Sequence, residues 1–299
     1  EGILMNNKNY GLNFNFITLR VKNIEKMRDY YLKLLKMKVL NDKKENGKRE
    51  IILGTKTAPL IKMISFGNEV LKNDNETNVF HIAYLLPERK DLGNFLRNCA
   101  KELIKLDGVG DHNVSEAVYL TDPEGNGIEV YADRDSNTWK WENGYVIMGT
   151  ETIDLEDLLR ISDNLPDFEI PENTKIGHVH LETFDLENDK DFYIKALGLE
   201  TVSKLPKAHF LSTGKYHHQF GMNQWNGKRK IPKNDNSTGV EEIHLSLVKE
   251  KFEKIKIGDP LDPNTQMGSQ IDEKQAEKII KYIEIAKKEG GEILVGGER

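Results

Sequence analysis

The chain has 299 residues, with 43 Lys and Arg against 49 Asp and Glu, a formal net charge of −6. That mildly acidic balance argues against a broad nucleic-acid-binding face, no apolar run reaches membrane-spanning length, and no secretory leader pattern opens the chain. The single cysteine, Cys99, rules out an intramolecular disulfide and fits a reducing cytosol, so a cytoplasmic location is expected.

In chain order, residues 16–40 read as a strand, an amphipathic helix with Ile24, Met27, Tyr31, Leu34 and Leu35 on one face, and a second strand. A second unit opens with Phe80-His81-Ile82-Ala83-Tyr84-Leu85-Leu86, continues as a helix over 90–106, and ends in a hairpin over 119–134. In that helix Cys99 shares a face with Leu92, Phe95, Leu96 and Leu103, which suits a small buried residue rather than a nucleophile. A connector over 137–170 has room for a short helix at 154–162. Residues 178–202 then repeat 16–40 without a gap at an offset of 162: Asp191-Phe192-Tyr193-Ile194-Lys195-Ala196-Leu197 answers Asp29-Tyr30-Tyr31-Leu32-Lys33-Leu34-Leu35. A fourth unit begins at Glu241-Glu242-Ile243-His244-Leu245-Ser246-Leu247. The expected fold class is therefore α+β, built of four βαβββ-like modules, two per half.

The hairpin is the most telling stretch. Its turn, Asp122-Pro123-Glu124-Gly125-Asn126-Gly127, carries two turn dipeptides. The strand that follows puts Ile128, Val130 and Ala132 on one face and Glu129 and Tyr131 on the other. A carboxylate on an inner sheet face is costly unless it is paired or bound to a metal. Glu129 is thus a candidate ligand.

These segments, with Gly110-Asp111-His112-Asn113, Ile176-Gly177-His178-Val179-His180-Leu181 and Tyr216-His217-His218, resemble the vicinal oxygen chelate superfamily over residues 9–250. Within it they are most similar to the bacterial catechol 2,3-dioxygenase (extradiol ring-cleaving) group. The resemblance implies the glyoxalase/extradiol dioxygenase fold, with a tail at 1–8, a first half at 9–136, the connector at 137–170 and a second half at 171–250. Residues 251–299, with Gly258-Asp259-Pro260-Leu261-Asp262-Pro263, resemble an internal fragment of aldehyde dehydrogenases. The fragment is too short to act as one, and it replaces the fourth module after its first strand with a helix–strand appendage.

The resemblance further implies an Fe(II) centre, with Mn(II) as the alternative, held by His81, Glu129 and His178. The module-one and module-four counterparts are Phe16 and Glu242, so the full set forms only if module two pairs with module three. His218 matches the family's acid/base histidine on the third module's last strand, and His112 and Tyr119 match groups that orient the substrate. The implied reaction is cleavage of a small aromatic diol by O2 to a hydroxymuconic semialdehyde, without nucleic acid or membrane partners; homo-oligomers are compatible with it. Competing readings are a glyoxalase-type isomerase, which would place a carboxylate on the last strand of both paired modules, and a metal-free bleomycin-resistance-like binding protein. Loss of the fourth module would impair an enzyme. Taken singly, each residue also has a plainer role: a lone inward histidine is more often a hydrogen-bonded core residue than a ligand, a strand glutamate is commonly salt-bridged at the surface, Tyr119 can be core packing and His112 a loop histidine. By the same reasoning His180, His209, His217 and His244 read as structural or exposed.

Overall fold

The computed structural model describes residues 10–163, 167–227 and 231–247, and the backbone of two short strands beyond them. Module one comprises β1 (Leu12–Arg20), α1 (Ile24–Leu35), β2 (Lys38–Glu45), β3 (Lys48–Gly54) and β4 (Pro59–Ser65). Module two comprises β5 (Val79–Leu86), α2 (Arg89–Lys101), β6 (Gly108–Asp111), β7 (Ser115–Thr121) and β8 (Gly127–Asp133). The connector holds a small hairpin, β9 (Trp141–Glu142) and β10 (Tyr145–Val146), and the helix α3 (Leu155–Ile161). Module three runs β11 (Lys175–Glu182), α4 (Leu186–Leu197), β12 (Glu200–Leu205), β13 (Ala208–Ser212) and β14 (Phe220–Asn223); β15 (Gly239–Leu247) opens the fourth unit. The expected appendage over 251–299 lies outside the described residues, save for a two-residue parallel pairing of β16 (Ile257–Gly258) with β17 (Met267–Gly268).

Local signals account for the helices. Asn23 caps α1 by accepting from the Lys26 amide, and Asp185 caps α4 through the Asn188 amide. The helix expected over 90–106 is shorter: Glu88 and Asp91 form a capping box at its start, and the chain turns out at Leu103, whose φ is 53°. Leu103 is therefore exposed rather than on the buried face. The buried face of α1 consists of Ile24, Met27, Tyr31, Leu34 and Leu35, and Cys99 is buried in α2.

The two large sheets are ordered β15-β1-β4-β3-β2 and β12-β13-β14-β11-β5-β8-β7-β6. Module one thus pairs with the fourth unit, and modules two and three join through the antiparallel pair β5–β11, where His81 lies opposite His180 and Ala83 opposite His178. Alternation along β5 and β8 sends Ile82, Tyr84, Leu86, Ile128, Val130 and Ala132 into the main core beneath the helices. The other face carries His81, Ala83, Glu129 and Tyr131. The turn at 122–127 ties module two to module one: Tyr31 donates to Asp122 (3.2 Å), and buried Glu124 accepts from the amides of Lys22 and Asn23 at the start of α1.

Candidate metal centre

His81, Glu129 and His178 come from three adjacent strands of the larger sheet, β5, β8 and β11, and all point to the same face of it. Glu129 Oε2 lies 3.0 Å from His81 Nε2 and 3.2 Å from His178 Nε2, and the two nitrogens are 3.3 Å apart. Neighbouring ligands at right angles about a first-row divalent ion, each at about 2.1 Å, stand about 3.0 Å apart. The triangle fits such an ion. All three residues are buried. Burial alone pushes the Glu129 carboxyl up, but His178 and then His81 outweigh it and hold it well below the usual carboxylate range. Burial lowers His178 to about 4 despite the opposing pull of Glu129. A neutral imidazole at His178 beside an ionised Glu129 carboxylate is the protonation state that metal ligation needs.

The register also says why the set stops at three. In module two Ala83 lies opposite Glu129; at the same place in module three, His180 lies opposite Gly221. The position equivalent to Glu129 thus has no side chain. The room is filled by the His180 ring, which a Cβ on Gly221 would meet at 2.7 Å. His217, His218 and Gln219 precede β14, which starts only at Phe220.

The triad opens on a cavity of about 460 Å³ walled by Phe80, Phe210, Trp225, Met148, His112, Tyr119, His180 and His218, among others. His112 Nε2 and the Tyr119 hydroxyl are 2.6 Å apart, and His112 Nδ1 is 2.8 Å from the Gly149 carbonyl. Because a carbonyl only accepts, Nδ1 carries the hydrogen, so Nε2 accepts from Tyr119. Burial and the neighbouring Glu129 push the Tyr119 hydroxyl far up, keeping it a donor. His218 packs against His178, ring centroids 4.2 Å apart and planes tilted by 47°, and burial above all lowers it well below the ordinary imidazole value. It stands in the loop before β14 rather than on that strand, a correction to the sequence reading: Tyr216 to Gln219 turn across the end of the sheet before pairing resumes.

Sequence reasoning passed over several residues here. His180 is buried, its Nε2 has no hydrogen-bond partner among the described residues, and burial lowers it strongly, with His81 adding to the effect. Its spacing of two from His178 was the available signal. His217 is wholly buried and bonds to Asp133, a contact across 84 positions that no local pattern announces. Met148, Gly149 and Thr150 come from the connector and close one wall. The remaining histidines stay out of the site: His209 pairs with Glu187 at 2.8 Å, and His244 pairs with Glu242 at 3.0 Å on the smaller sheet, stacked on Phe16.

Paired βαβββ modules with two histidines and a carboxylate at their junction define a metal-dependent enzyme of the vicinal oxygen chelate type. The family model described as the Glyoxalase/Bleomycin resistance protein/Dioxygenase superfamily matches residues 13–130. The chain is 37% identical over 229 residues to "Catechol-2,3-dioxygenase" of Bacillus subtilis (strain 168), an alignment covering 76% of this chain and 79% of that protein, and it belongs to this superfamily. A solved structure of a putative dioxygenase from Bacillus subtilis superposes with a TM-score of 0.52 at 13% identity, covering 92% of this chain and 75% of that one, a likeness of fold. The C-terminal part has a different kinship. An Aldehyde dehydrogenase family model matches residues 237–299, and 60 residues are 45% identical to "Betaine aldehyde dehydrogenase" of Cereibacter sphaeroides (strain ATCC 17029 / ATH 2.4.9), 20% of this chain but 12% of that protein. The match starts upstream of residue 251 and so includes β15, the strand that pairs with β1.

Proposed function

We propose that this chain is an Fe(II)-dependent extradiol dioxygenase that opens a catechol-like aromatic diol with O2 to a hydroxymuconic semialdehyde. The observation that carries the reading is the three-membered ligand set beside Gly221: two histidines and one carboxylate leave room for a bidentate diol and a gas, where a second carboxylate would favour the isomerase. The kinship with a catechol dioxygenase supports the same choice.

His81, Glu129 and His178 would hold the metal, which supplies a site where diol and O2 are brought together and electrons pass between them. The chain's own groups do the rest. Phe80, Phe210 and Trp225 hold the ring in an apolar cavity and keep water away. Tyr119, whose hydrogen is given to His112, presents its hydroxyl oxygen as an acceptor to the diol hydroxyl and orients it. His218 takes the second diol proton and returns it to the oxygen that leaves as the O–O bond breaks. Both oxygen atoms of O2 end in the product, so no external reductant is consumed.

The test is anaerobic loading with Fe(II), or with Mn(II) in parallel, followed by catechol and air. The yellow ring-fission product is expected from the wild-type chain and not from Glu129→Gln or His178→Ala. A chain that binds either metal at these residues and yields no ring-fission product from any simple catechol would overturn the reading.

A further inference from the structure

Behind His218 runs a hydrogen-bonded chain that the three ligands and the substrate-orienting pair leave unused. His218 Nδ1 is 2.8 Å from His217 Nδ1, His217 Nε2 is 2.9 Å from Asp133 Oδ1, and the Tyr216 hydroxyl reaches both Asp133 oxygens, at 3.0 and 3.3 Å. The Tyr131 hydroxyl is 2.7 Å from that of Tyr216. The direction of each bond follows from chemistry at the far end. Burial, with the Asp133 charge behind it, holds both phenols protonated. A carboxylate only accepts, so Tyr216 donates to Asp133 and in turn accepts from Tyr131, and His217 Nε2 carries a hydrogen. With its hydrogen on Nε2, His217 offers a bare Nδ1 to its neighbour, and the hydrogen between the two Nδ1 atoms belongs to His218. What remains on His218 is Nε2, without a hydrogen, on a ring that walls the cavity.

We infer that Asp133 is a positioning residue that acts through His217 to lock His218 as its Nδ1–H tautomer, presenting Nε2 to the bound substrate as a hydrogen-bond acceptor. The arrangement is specific to this chain's halves: Asp133 ends β8 in module two, whereas His217 and His218 precede β14 in module three, so docking of the two modules assembles it. Gly177, on β11, makes the fit possible, because a Cβ there would lie 1.8 Å from the Tyr131 hydroxyl oxygen that anchors the line. A tautomer fixed by the bond on the other ring nitrogen is how an imidazole's role is set elsewhere. The role assigned to Nε2 rests on the proposed dioxygenase reading; the tautomer does not.

The test reads tautomers directly, by two-bond proton–nitrogen correlation NMR on the full chain with nitrogen-15 histidine, metal-free and loaded with diamagnetic Zn(II), near pH 8. His217→Gln identifies the signals. The expected wild-type pattern is a hydrogen-bearing Nδ1 and a bare Nε2 on His218, with the reverse on His217. Asp133→Asn, whose amide can donate to His217 Nε2, is expected to flip both rings while Zn(II) stoichiometry stays at the wild-type value. If the ring-fission assay succeeds, the same variant should lose about 100-fold or more in kcat with KM little changed. A hydrogen on His218 Nε2 in the wild type would overturn the inference, and so would Asp133→Asn with unaltered tautomers. Should Asp133→Asn fail to fold, the wild-type pattern still decides. Absence of ring fission with the expected tautomers would count against the dioxygenase reading and leave the positioning role standing.

Discussion

Gly221 stands in module three where Glu129 stands in module two, each opposite the equivalent residue of its first strand. One substitution at a single register position thus separates a three-ligand from a four-ligand centre. The expected consequence is one metal ion per chain, lost when any member of the triad is changed. Outer-shell changes at such centres typically cost 10- to 100-fold in affinity, so His81→Ala, Glu129→Gln and His178→Ala should each cost more than about 100-fold. Competition against a chromogenic chelator measures this. Full metal retention by His178→Ala would refute the triad.

The metal-free protein should weaken as pH falls through the mildly acidic range. His178 is held near 4 by burial, below the roughly 6.5 of an unfolded histidine. Between those values the unfolded chain binds the extra proton, so stability is complete above about 6.5 and declines on the way down to about 4. The slope is about 1 kcal/mol per pH unit for this group. His180 and His218, lowered mainly by burial, act in the same direction. Urea midpoints at pH 7.5, 6 and 5 should fall in that order without metal. A saturating divalent ion should raise all three, because it binds only the folded form.

Tyr119 and His112 make a separable prediction. Their 2.6 Å bond lies beside the triad but supplies no ligand. Tyr119→Phe should leave metal affinity within about threefold of wild type and reduce catechol turnover by about 100-fold. His112→Phe, which frees the Tyr119 hydroxyl from its partner, should reduce it less. Isothermal titration with the metal, alongside the ring-fission assay, separates the two effects. Loss of metal binding in Tyr119→Phe would mean that the phenol belongs to the coordination shell.

Much of this architecture is legible in the sequence for a physical reason. Strand alternation and turn dipeptides are local, so the hairpin with Glu129 inward can be read from residues 119–134, and α1 from the spacing of Ile24, Met27, Tyr31, Leu34 and Leu35. Pairing of modules two and three is not local. It becomes visible only because His81 and His178 have no histidine counterparts at Phe16 and Glu242. The residues that escaped are those whose partners are far along the chain. Asp133 and His217 mean little separately, and Met148 enters the cavity from a connector without periodicity. His218 reads as a strand residue because the repeat is diverged there, and the turn signal at Gly214 marks the end of β13 without showing how far the loop runs.

Close packing across β11 supplies a last prediction. A Cβ on Gly177 would lie 1.8 Å from the Tyr131 hydroxyl oxygen and 2.8 Å from its ring carbon, and neither can retreat, because Tyr131 is wholly buried and its hydroxyl is bonded to Tyr216. Gly177→Ala should therefore destabilise the protein by about 1–3 kcal/mol, the usual range for overpacking a filled core. Gly108, on the edge strand β6, has nothing within 4 Å of the corresponding position, so Gly108→Ala is the matched control and should change stability by less than about 0.5 kcal/mol. The double change Gly177→Ala with Tyr131→Phe removes the oxygen that clashes at the cost of the Tyr216 bond, and should recover part of the loss. Denaturant midpoints compared at constant slope decide the matter: equal stability for Gly177→Ala and Gly108→Ala would show that the Tyr131–Tyr216–Asp133 line has slack and does not hold the two modules in register.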